Sequence, residues 1–374
     1  MTLETFLLER MQTLYENTVE INLTESGVKP MTLRAFLTAA EREEVLDLSQ
    51  GYGHTDGTPA LRKAIAGLYP GATSDNILVG AGSAEANFVA AWTLFGEGGP
   101  GANRAAAMLP NYTQIHGVAK SLGAELTPFH LDSDRGWALD VESLKRAVVP
   151  GTKVILICHP NNPTGHILTA AEMTAVVDAA RKADAWILSD EIYRGSELGG
   201  RPETTSFWGR YDKVIVTGSV SKALAFSGLR LGWLVASGDF AKEARRRQDY
   251  TTIGTTPVSQ YVATRVLEPS RRRQLLERSR VILERNLKIV GDWVASHGNR
   301  LSWQPPEAGG VAFIRYDFPI GSEALSTMLR EKESTFIVAG AWFGLEGHVR
   351  IGIGGDSHEL QEGLQRIDRV LAAL

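Results

Sequence analysis

The sequence predicts an α/β fold in which a large, doubly wound mixed sheet domain is followed by a smaller α+β C-terminal domain. Short apolar runs, typical of buried strands, alternate with helical patterns over the first two thirds of the chain. The pattern changes near residue 265, where a long charged helix precedes a few strands and a closing helix. With 374 residues and 43% hydrophobic content, the chain is long enough for two such domains.

The large domain is expected to span residues 46–265 and the small domain residues 266–374, with residues 1–45 as an N-terminal segment that packs with the small domain. Ligands bind at the carboxyl ends of strands in open α/β sheets, so polar residues that follow these strands are candidate site residues. The strands of the large sheet are expected at about 76–79, 105–109, 124–129, 154–159, 185–190, 214–219 and 231–236.

Composition excludes several classes of protein. A net charge of -4 argues against nucleic-acid binding, and no apolar run approaches membrane-spanning length. The first ten residues have the pattern of an amphipathic helix rather than a signal peptide, so a cytoplasmic location is expected. The single cysteine, Cys158, lies in an apolar run and is expected to be a buried structural thiol. No metal site is predicted.

A lysine motif gives the first indication of chemistry. Lys222 follows Ser219 and Ser221, and Arg230 lies eight residues further on. Alone, such a tetrapeptide is common on protein surfaces. In this arrangement, however, the lysine amine suits a Schiff base with an aldehyde cofactor, while Ser219 and Arg230 suit a phosphate. Pyridoxal phosphate is a cofactor with both groups.

Two further strand ends carry polar residues that suit this cofactor. Asp190 follows the apolar run 185–188, and a carboxylate there can keep a pyridine nitrogen protonated. Tyr193 is placed to hydrogen-bond the phenolic oxygen of the ring. Asn162 lies in a proline-rich turn after the run 154–158, and its amide is a fixed donor to the same oxygen. Alone, Asp190 would be interpreted as a helix N-cap.

A glycine-rich turn precedes Ser83 and Ala84 at the start of an apolar helix that runs to about Phe95. Free backbone N–H groups at a helix start bind phosphate. A dinucleotide-binding fingerprint is the alternative interpretation of this turn. It is the weaker one because Glu85 replaces the third glycine and no acidic residue follows about 20 positions later.

Tyr112 follows a strand, and its ring is placed to stack on a pyridine face. Tyr52 lies in a glycine-rich loop.

Arg350 is the single arginine of an otherwise apolar strand, where burial of its charge is unfavourable unless an anion pairs with it. A substrate carboxylate or an internal salt bridge would pair it.

Together these motifs resemble the class I/II aminotransferase family of fold-type I pyridoxal-phosphate enzymes over nearly the whole length. The resemblance implies that an α-amino acid is the substrate and that the protein is a homodimer. The resemblance implies that Lys222 holds the cofactor covalently and that its ring is contacted by Asp190, Tyr193, Asn162 and Tyr112. It implies phosphate contacts from Ser83, Ala84, Ser219 and Arg230, and from Tyr52 to the phosphate of the neighbouring subunit. Arg350 is the expected partner of the substrate carboxylate, and Asn162 is a further candidate substrate contact.

Two short segments resemble one branch of the family, that of capreomycidine synthase. They are Glu25-Ser26-Gly27-Val28, which makes Gly27 a candidate substrate contact, and Trp342-Phe343-Gly344. Members of that branch use the cofactor for elimination and ring closure. Loop and strand packing is the alternative explanation for both segments.

Three hypotheses follow: a transaminase as the default, an enzyme of elimination, replacement or cyclisation in specialised metabolism, and a non-enzymatic ligand-binding module. The third is disfavoured because no DNA-binding domain is expected before the fold and the reactive lysine is present. The side chain of the substrate is not specified by any motif. Candidates for its pocket, by position only, are His54, Thr55, Thr255 and Trp342.

Overall fold

The computed structural model of the protein describes residues 4–96 and 103–374. Its helices are α1 (Leu7–Tyr15), α2 (Leu33–Phe36), α3 (Ala39–Leu46), α4 (Pro59–Ala66), α5 (Ser83–Phe95), α6 (Gln114–Ser121), α7 (Val141–Ala147), α8 (Ala170–Ala183), α9 (Gly238–Gln248), α10 (Pro257–Val266), α11 (Pro269–Ser296), α12 (Ser322–Glu333) and α13 (Ser357–Leu371).

The strands form one large sheet, one small sheet and a short two-stranded pair. They are β1 (Ile21–Asn22), β2 (Ile77–Gly80), β3 (Arg104–Leu109), β4 (Glu125–Asp132), β5 (Ala138–Leu139), β6 (Thr152–Cys158), β7 (Trp186–Asp190), β8 (Val214–Ser219), β9 (Gly232–Val235), β10 (Leu301–Trp303), β11 (Val311–Tyr316), β12 (Thr335–Phe336), β13 (Val338–Ala339) and β14 (His348–Gly352).

The large sheet has the strand order β2-β9-β8-β7-β6-β3-β4-β5. Strands β3, β4, β6, β7 and β8 are parallel, whereas β9 is antiparallel to both of its neighbours. All seven predicted strands are present, and the predicted mixed sheet is confirmed. Helices cover both faces, so the central strands are buried on both sides, as their continuous apolar runs require. Cys158, at the end of β6, is buried as predicted.

The small sheet has the order β10-β11-β14-β13 and is antiparallel. Its core includes the apolar face of α13, where Leu360, Leu364 and Ile367 are buried at helical spacing. Strand β1 pairs in parallel with β12, with Ile21 opposite Thr335, which brings the N-terminal segment to this part of the molecule. The domain boundaries after residues 45 and 265 stay a prediction.

Helix α1 begins at Leu7, later than the helix expected over the first ten residues. Residues 1–3, which that expectation included, lie outside the described part of the chain. Leu8 is buried, and the ring of Phe6 contacts the ring of Tyr112 with centroids 5.0 Å apart. Helix α1 is therefore held against the loop that follows β3. Within residues 4–96 and 103–374, no helix has both the length and the apolar character needed to cross a bilayer.

Candidate active site

A cavity of about 300 Å³ opens beside the carboxyl ends of the central strands. Its volume lies at the lower end of the range of about 300–1,000 Å³ that is typical of small-molecule sites. Helix α1 and the segment after it form a further wall. The predicted residues that line this cavity are Ser83, Ala84, Tyr112, Asn162, Asp190, Tyr193, Lys222, Arg230 and Arg350.

The other three predicted site residues do not line the cavity. The Ser219 hydroxyl accepts a hydrogen bond from the backbone N–H of Ser221 at 3.0 Å, and it is Ser221 that faces the cavity. Gly27 contributes only its backbone near the site. Tyr52 is 88% exposed on a separate loop, so within one chain it is not brought to the other residues.

The first turn of α5 forms an anion cradle. The earliest N–H groups of a helix have no partner within the helix, and here they belong to Ser83 and Ala84. Gly82 precedes them with a φ of +88°, and a Cβ at this position would lie 2.6 Å from Nη2 of Arg230. Glycine therefore lets the guanidinium lie directly beside the helix start. Arg230 itself donates to the carbonyl of Ser227 at 3.1 Å.

Asp190 ends β7 and is buried. Its two oxygens accept hydrogen bonds from the amide of Asn87 at 3.0 Å and from the backbone N–H of Ile192 at 3.2 Å. Burial raises the pKa of Asp190 to about 6, against the opposing effect of these bonds and of the charge on Lys222. At neutral pH the carboxylate is ionised and suited to a cationic N–H donor.

Lys222 forms an ion pair with Glu25 across the cavity, with Nζ 2.7 Å from Oε1. The same oxygen accepts from the backbone N–H groups of Ser26 and Gly27 at 2.8 Å. The charge on Lys222 is the main cause that lowers the pKa of Glu25 to about 2. The amine is thus held at the cavity wall by a carboxylate that stays ionised.

Two phenols also face the cavity. The Tyr193 hydroxyl donates to Oγ of Ser26 at 3.0 Å, and the Tyr112 hydroxyl donates to Oε1 of Glu9 at 2.5 Å. Burial raises the pKa of both tyrosines above its ordinary value. Both therefore keep their protons at neutral pH.

Arg350 lies on β14, between β11 and β13, and is only 1% exposed. Its two terminal nitrogens donate to Oδ1 of Asn162 at 3.0 Å and to the carbonyl of Thr24 at 2.6 Å. Its Nε has no hydrogen-bond partner within the described chain. These partners are neutral oxygens rather than the carboxylate of an internal salt bridge. A buried guanidinium with neutral partners is suited to bind an anion from outside the chain.

Several side chains at the site were not predicted from the sequence. Asn87 is the lone amide on the buried face of the apolar helix α5, and that isolation was a usable signal. Glu25 belongs to the segment Glu25-Ser26-Gly27-Val28, whose sequence indicated only a resemblance to the capreomycidine synthase branch. No local pattern marks the others, which are Glu9, Gln12, Glu16, Gln114 and Ser227.

The family model for aminotransferase class I and II matches residues 18–367. The chain belongs to the class I and II aminotransferase family. It is therefore a pyridoxal-phosphate-dependent enzyme, and the predicted fold-type I architecture, family and cofactor are confirmed.

This aminotransferase-family chain is similar to capreomycidine synthase of Streptomyces vinaceus, with 27% identity over 94% of this chain and 89% of that protein. The crystal structure of a PLP-dependent aminotransferase from Streptococcus suis matches with a TM-score of 0.92 and 29% identity, covering 100% of this chain and 99% of that one. The PLP-dependent cyclase OrfR shares the fold, with a TM-score of 0.88 and 23% identity over 100% and 98% of the two chains.

The described residues fit pyridoxal phosphate. The α5 cradle with Arg230 would hold the phosphate, the buried carboxylate of Asp190 would pair with the ring nitrogen, and Lys222 would supply the amine for the aldehyde. When bound, the cofactor supplies an electron-accepting ring that stabilises negative charge at the substrate Cα.

Proposed function

We propose that this aminotransferase-family enzyme transfers the amino group of an α-amino acid whose side chain carries a positive charge. One observation carries the substrate class: the carboxylates of Glu9, Glu16 and Glu25 line the same cavity as Arg350. Arg350 would bind the α-carboxylate, Glu25 lies beside the Lys222 amine, and Glu9 and Glu16 would face the side chain of the substrate.

The charges of the cavity support this assignment. Arg230 pairs with the cofactor phosphate, Asp190 with the ring nitrogen and Arg350 with the substrate carboxylate in the proposed complex. Lys222 is then the one lining cation left to neutralise the three glutamates among the described residues. Carboxylates that share a partly buried site repel one another unless a cation enters.

The pKa of Glu16 reflects this repulsion in part. Burial raises the pKa of Glu16, and the neighbouring carboxylates of Glu25 and Glu9 raise it further. Glu16 is half-buried just after α1, where a cationic group of a ligand would relieve the unfavourable contacts. The ammonium or guanidinium of a basic amino acid is such a group.

The chain's own residues would carry the reaction. Arg350, held by Asn162, orients the substrate so that its Cα lies within reach of the Lys222 amine, which moves the Cα proton. Asp190 retains the proton on the ring nitrogen. Helix α1 covers this face of the cavity and limits the access of water.

A substrate panel tests the proposed class. We expect the loaded enzyme with a keto-acid acceptor to convert L-arginine or L-lysine faster than the neutral analogues L-citrulline and L-norleucine. Glu16→Gln should lower kcat/KM for the cationic substrates by about tenfold and leave the neutral ones unchanged or improved. The measurement is keto-acid production from each amino acid.

Glu43→Gln is the matched control, because Glu43 is an exposed glutamate outside the cavity. It should leave the order of substrates as in the wild type. An equal loss for cationic and neutral substrates in Glu16→Gln would contradict the proposed side-chain charge. A lack of keto acid from every donor would contradict transamination itself.

Cyclisation is a second candidate function for the same site. The full-length similarity to capreomycidine synthase and to a PLP-dependent cyclase favours it. A substrate with a leaving group at Cβ or Cγ distinguishes the two reactions in deuterated water. Cyclisation or elimination should place deuterium at Cα or Cβ without transfer of the amino group to a keto-acid acceptor, whereas stoichiometric amination of that acceptor would exclude it.

The second copy of the chain belongs to the same proposal, as a homodimer in which Tyr52 reaches the neighbouring phosphate. Tyr52 is 88% exposed within one chain, which leaves its side chain available to a second subunit. Leu46 and Tyr250 are also largely exposed, at 76% and 83%. Sedimentation should therefore give twice the mass of the chain.

Mixed dimers test the contribution of Tyr52. Co-expression of Tyr52→Ala and Lys222→Ala chains creates one site that has both an intact Tyr52 and an intact Lys222, provided that the tyrosine crosses to the partner. We expect the mixed dimer to be more active than either variant alone. No recovery of activity would mean that Tyr52 does not serve the neighbouring site.

A further inference from the structure

Asn87 is the side chain that holds the carboxylate of Asp190. It lies on α5, one helical turn after Ser83, and is only 2% exposed. Its Nδ2 donates to one carboxylate oxygen at 3.0 Å, and the backbone N–H of Ile192 donates to the other at 3.2 Å. Each oxygen has two lone pairs, so acceptor capacity is left for a ligand in the cavity that Asp190 lines.

The amide of Asn87 is itself fixed. An ionised carboxylate only accepts hydrogen bonds, so the NH₂ group faces Asp190 and the amide oxygen faces Thr217. The Thr217 hydroxyl donates to that oxygen at 2.7 Å, and Gln114 accepts the second N–H at 3.1 Å. Thr217 is fully buried on β8, directly opposite Asp190 in the sheet register. The amide therefore has a bonding partner on each side.

Burial and hydrogen bonding act in opposite directions on Asp190. Burial favours the neutral acid, whereas the Asn87 amide, the Ile192 N–H and the charge on Lys222 favour the carboxylate. The other titratable side chains near Asp190 stay uncharged at neutral pH, because burial raises the pKa of each. They are Cys158, Tyr112 and Tyr193.

We propose that Asn87 is a positioning residue for the cofactor. Its amide, locked by Thr217, keeps Asp190 ionised and in one orientation, ready to pair with the protonated ring nitrogen of pyridoxal phosphate. Asn87 is not among the residues that line the cavity, so it acts through Asp190. Because the ring nitrogen is common to all substrates, this role does not depend on the side-chain charge proposed above.

This role is tested by the affinity of the apoprotein, prepared by removing the cofactor, for pyridoxal phosphate as a function of pH. Affinity falls on the acid side when Asp190 becomes protonated, because the ion pair with the ring is then lost. Removal of the amide raises the pKa of Asp190, so the fall should begin at higher pH. We expect Asn87→Ala and Thr217→Val to weaken pyridoxal phosphate binding about tenfold near neutral pH and to shift the acid limb up by about one pH unit.

Three comparisons separate positioning from a merely structural effect. Thr217→Ser keeps the hydroxyl and should restore the wild-type profile. The double variant, Asn87→Ala with Thr217→Val, should bind pyridoxal phosphate no more weakly than Asn87→Ala alone, because Thr217 acts through the Asn87 amide. Thr152→Val removes a buried hydroxyl at the opposite end of β6 and should leave the profile unchanged.

A wild-type profile in Asn87→Ala would overturn the proposal. The proposal would also be overturned if Thr217→Val weakened cofactor affinity in the double variant as much as it does alone. The same holds if Thr217→Ser had the same pH profile as Thr217→Val. If Asn87→Ala does not fold, the comparison of Thr217→Ser with Thr217→Val decides alone. Both variants retain the Asn87 amide, and only the serine variant retains the hydroxyl that bonds to it.

Discussion

Lys222→Ala should abolish turnover while leaving the fold intact. Its amine is the group in the cavity that can bond covalently to an aldehyde, and the same amine would move the Cα proton. General acid–base catalysis alone contributes about 10²–10⁴-fold, and the loss of covalent attachment adds to this, so we expect a decrease of about 10⁴-fold or more in kcat. Borohydride reduction followed by peptide mass mapping should find the cofactor on the peptide that contains Lys222 in the wild type.

Lys29→Ala is the control for this experiment. Lys29 also forms an ion pair, with Asp356 at 3.1 Å, but its side chain is 53% exposed and does not line the cavity. Circular dichroism should show that both variants are folded. An adduct on another lysine, or substantial turnover by Lys222→Ala, would contradict the role given to this amine.

Strand ends explain why much of the candidate site could be predicted. Asp190 ends β7, Asn162 follows β6 and Tyr112 follows β3, and neighbouring parallel strands bring their carboxyl ends to one edge. Continuous apolar runs identified these strands without any knowledge of their pairing. The order of the strands then placed the three residues around one cavity.

The glutamates on the α1 side of the cavity, Glu9 and Glu16, could not be predicted in the same way. Glu9 and Glu16 lie on and after α1, and only long-range contacts place them there. Strand β1 pairs with β12, more than 300 residues away in the chain, and Tyr112 bonds to Glu9. No periodicity within the first 20 residues encodes these contacts.

Ser219 shows a limit of a different kind. The motif places a serine near the lysine. In the structure β8 ends at Ser219, and its hydroxyl accepts a hydrogen bond from the backbone N–H of Ser221. The backbone path after a strand decides which of two nearby hydroxyls faces the cavity. The same segment ends at Arg230 in a left-handed conformation, with φ of +47°, and composition does not reveal this backbone path.

Arg350→Leu should produce the second large loss, and only in the recognition of the substrate. We expect kcat/KM for α-amino acids to fall by about 10²–10³-fold, in the range measured when one member of a buried charge pair is removed. Cofactor affinity should change little, because the proposed phosphate, ring-nitrogen and aldehyde contacts lie at the start of α5 and near the carboxyl ends of the large-sheet strands, whereas Arg350 lies on β14 of the small sheet. Steady-state kinetics and cofactor titration measure the two quantities separately.

An amine that lacks the α-carboxylate makes this prediction specific to Arg350. The wild type should have a much higher kcat/KM for the amino acid than for the corresponding amine. Arg350→Leu should lose most of that preference, because the substrate carboxylate no longer has a cationic partner. Arg350→Lys keeps the charge but not the planar pair of donors, so it should recover only part of the preference. If the variant still discriminated as the wild type does, the carboxylate would have to bind elsewhere. The proposed orientation of the substrate, with its side chain towards Glu9 and Glu16, would then be wrong.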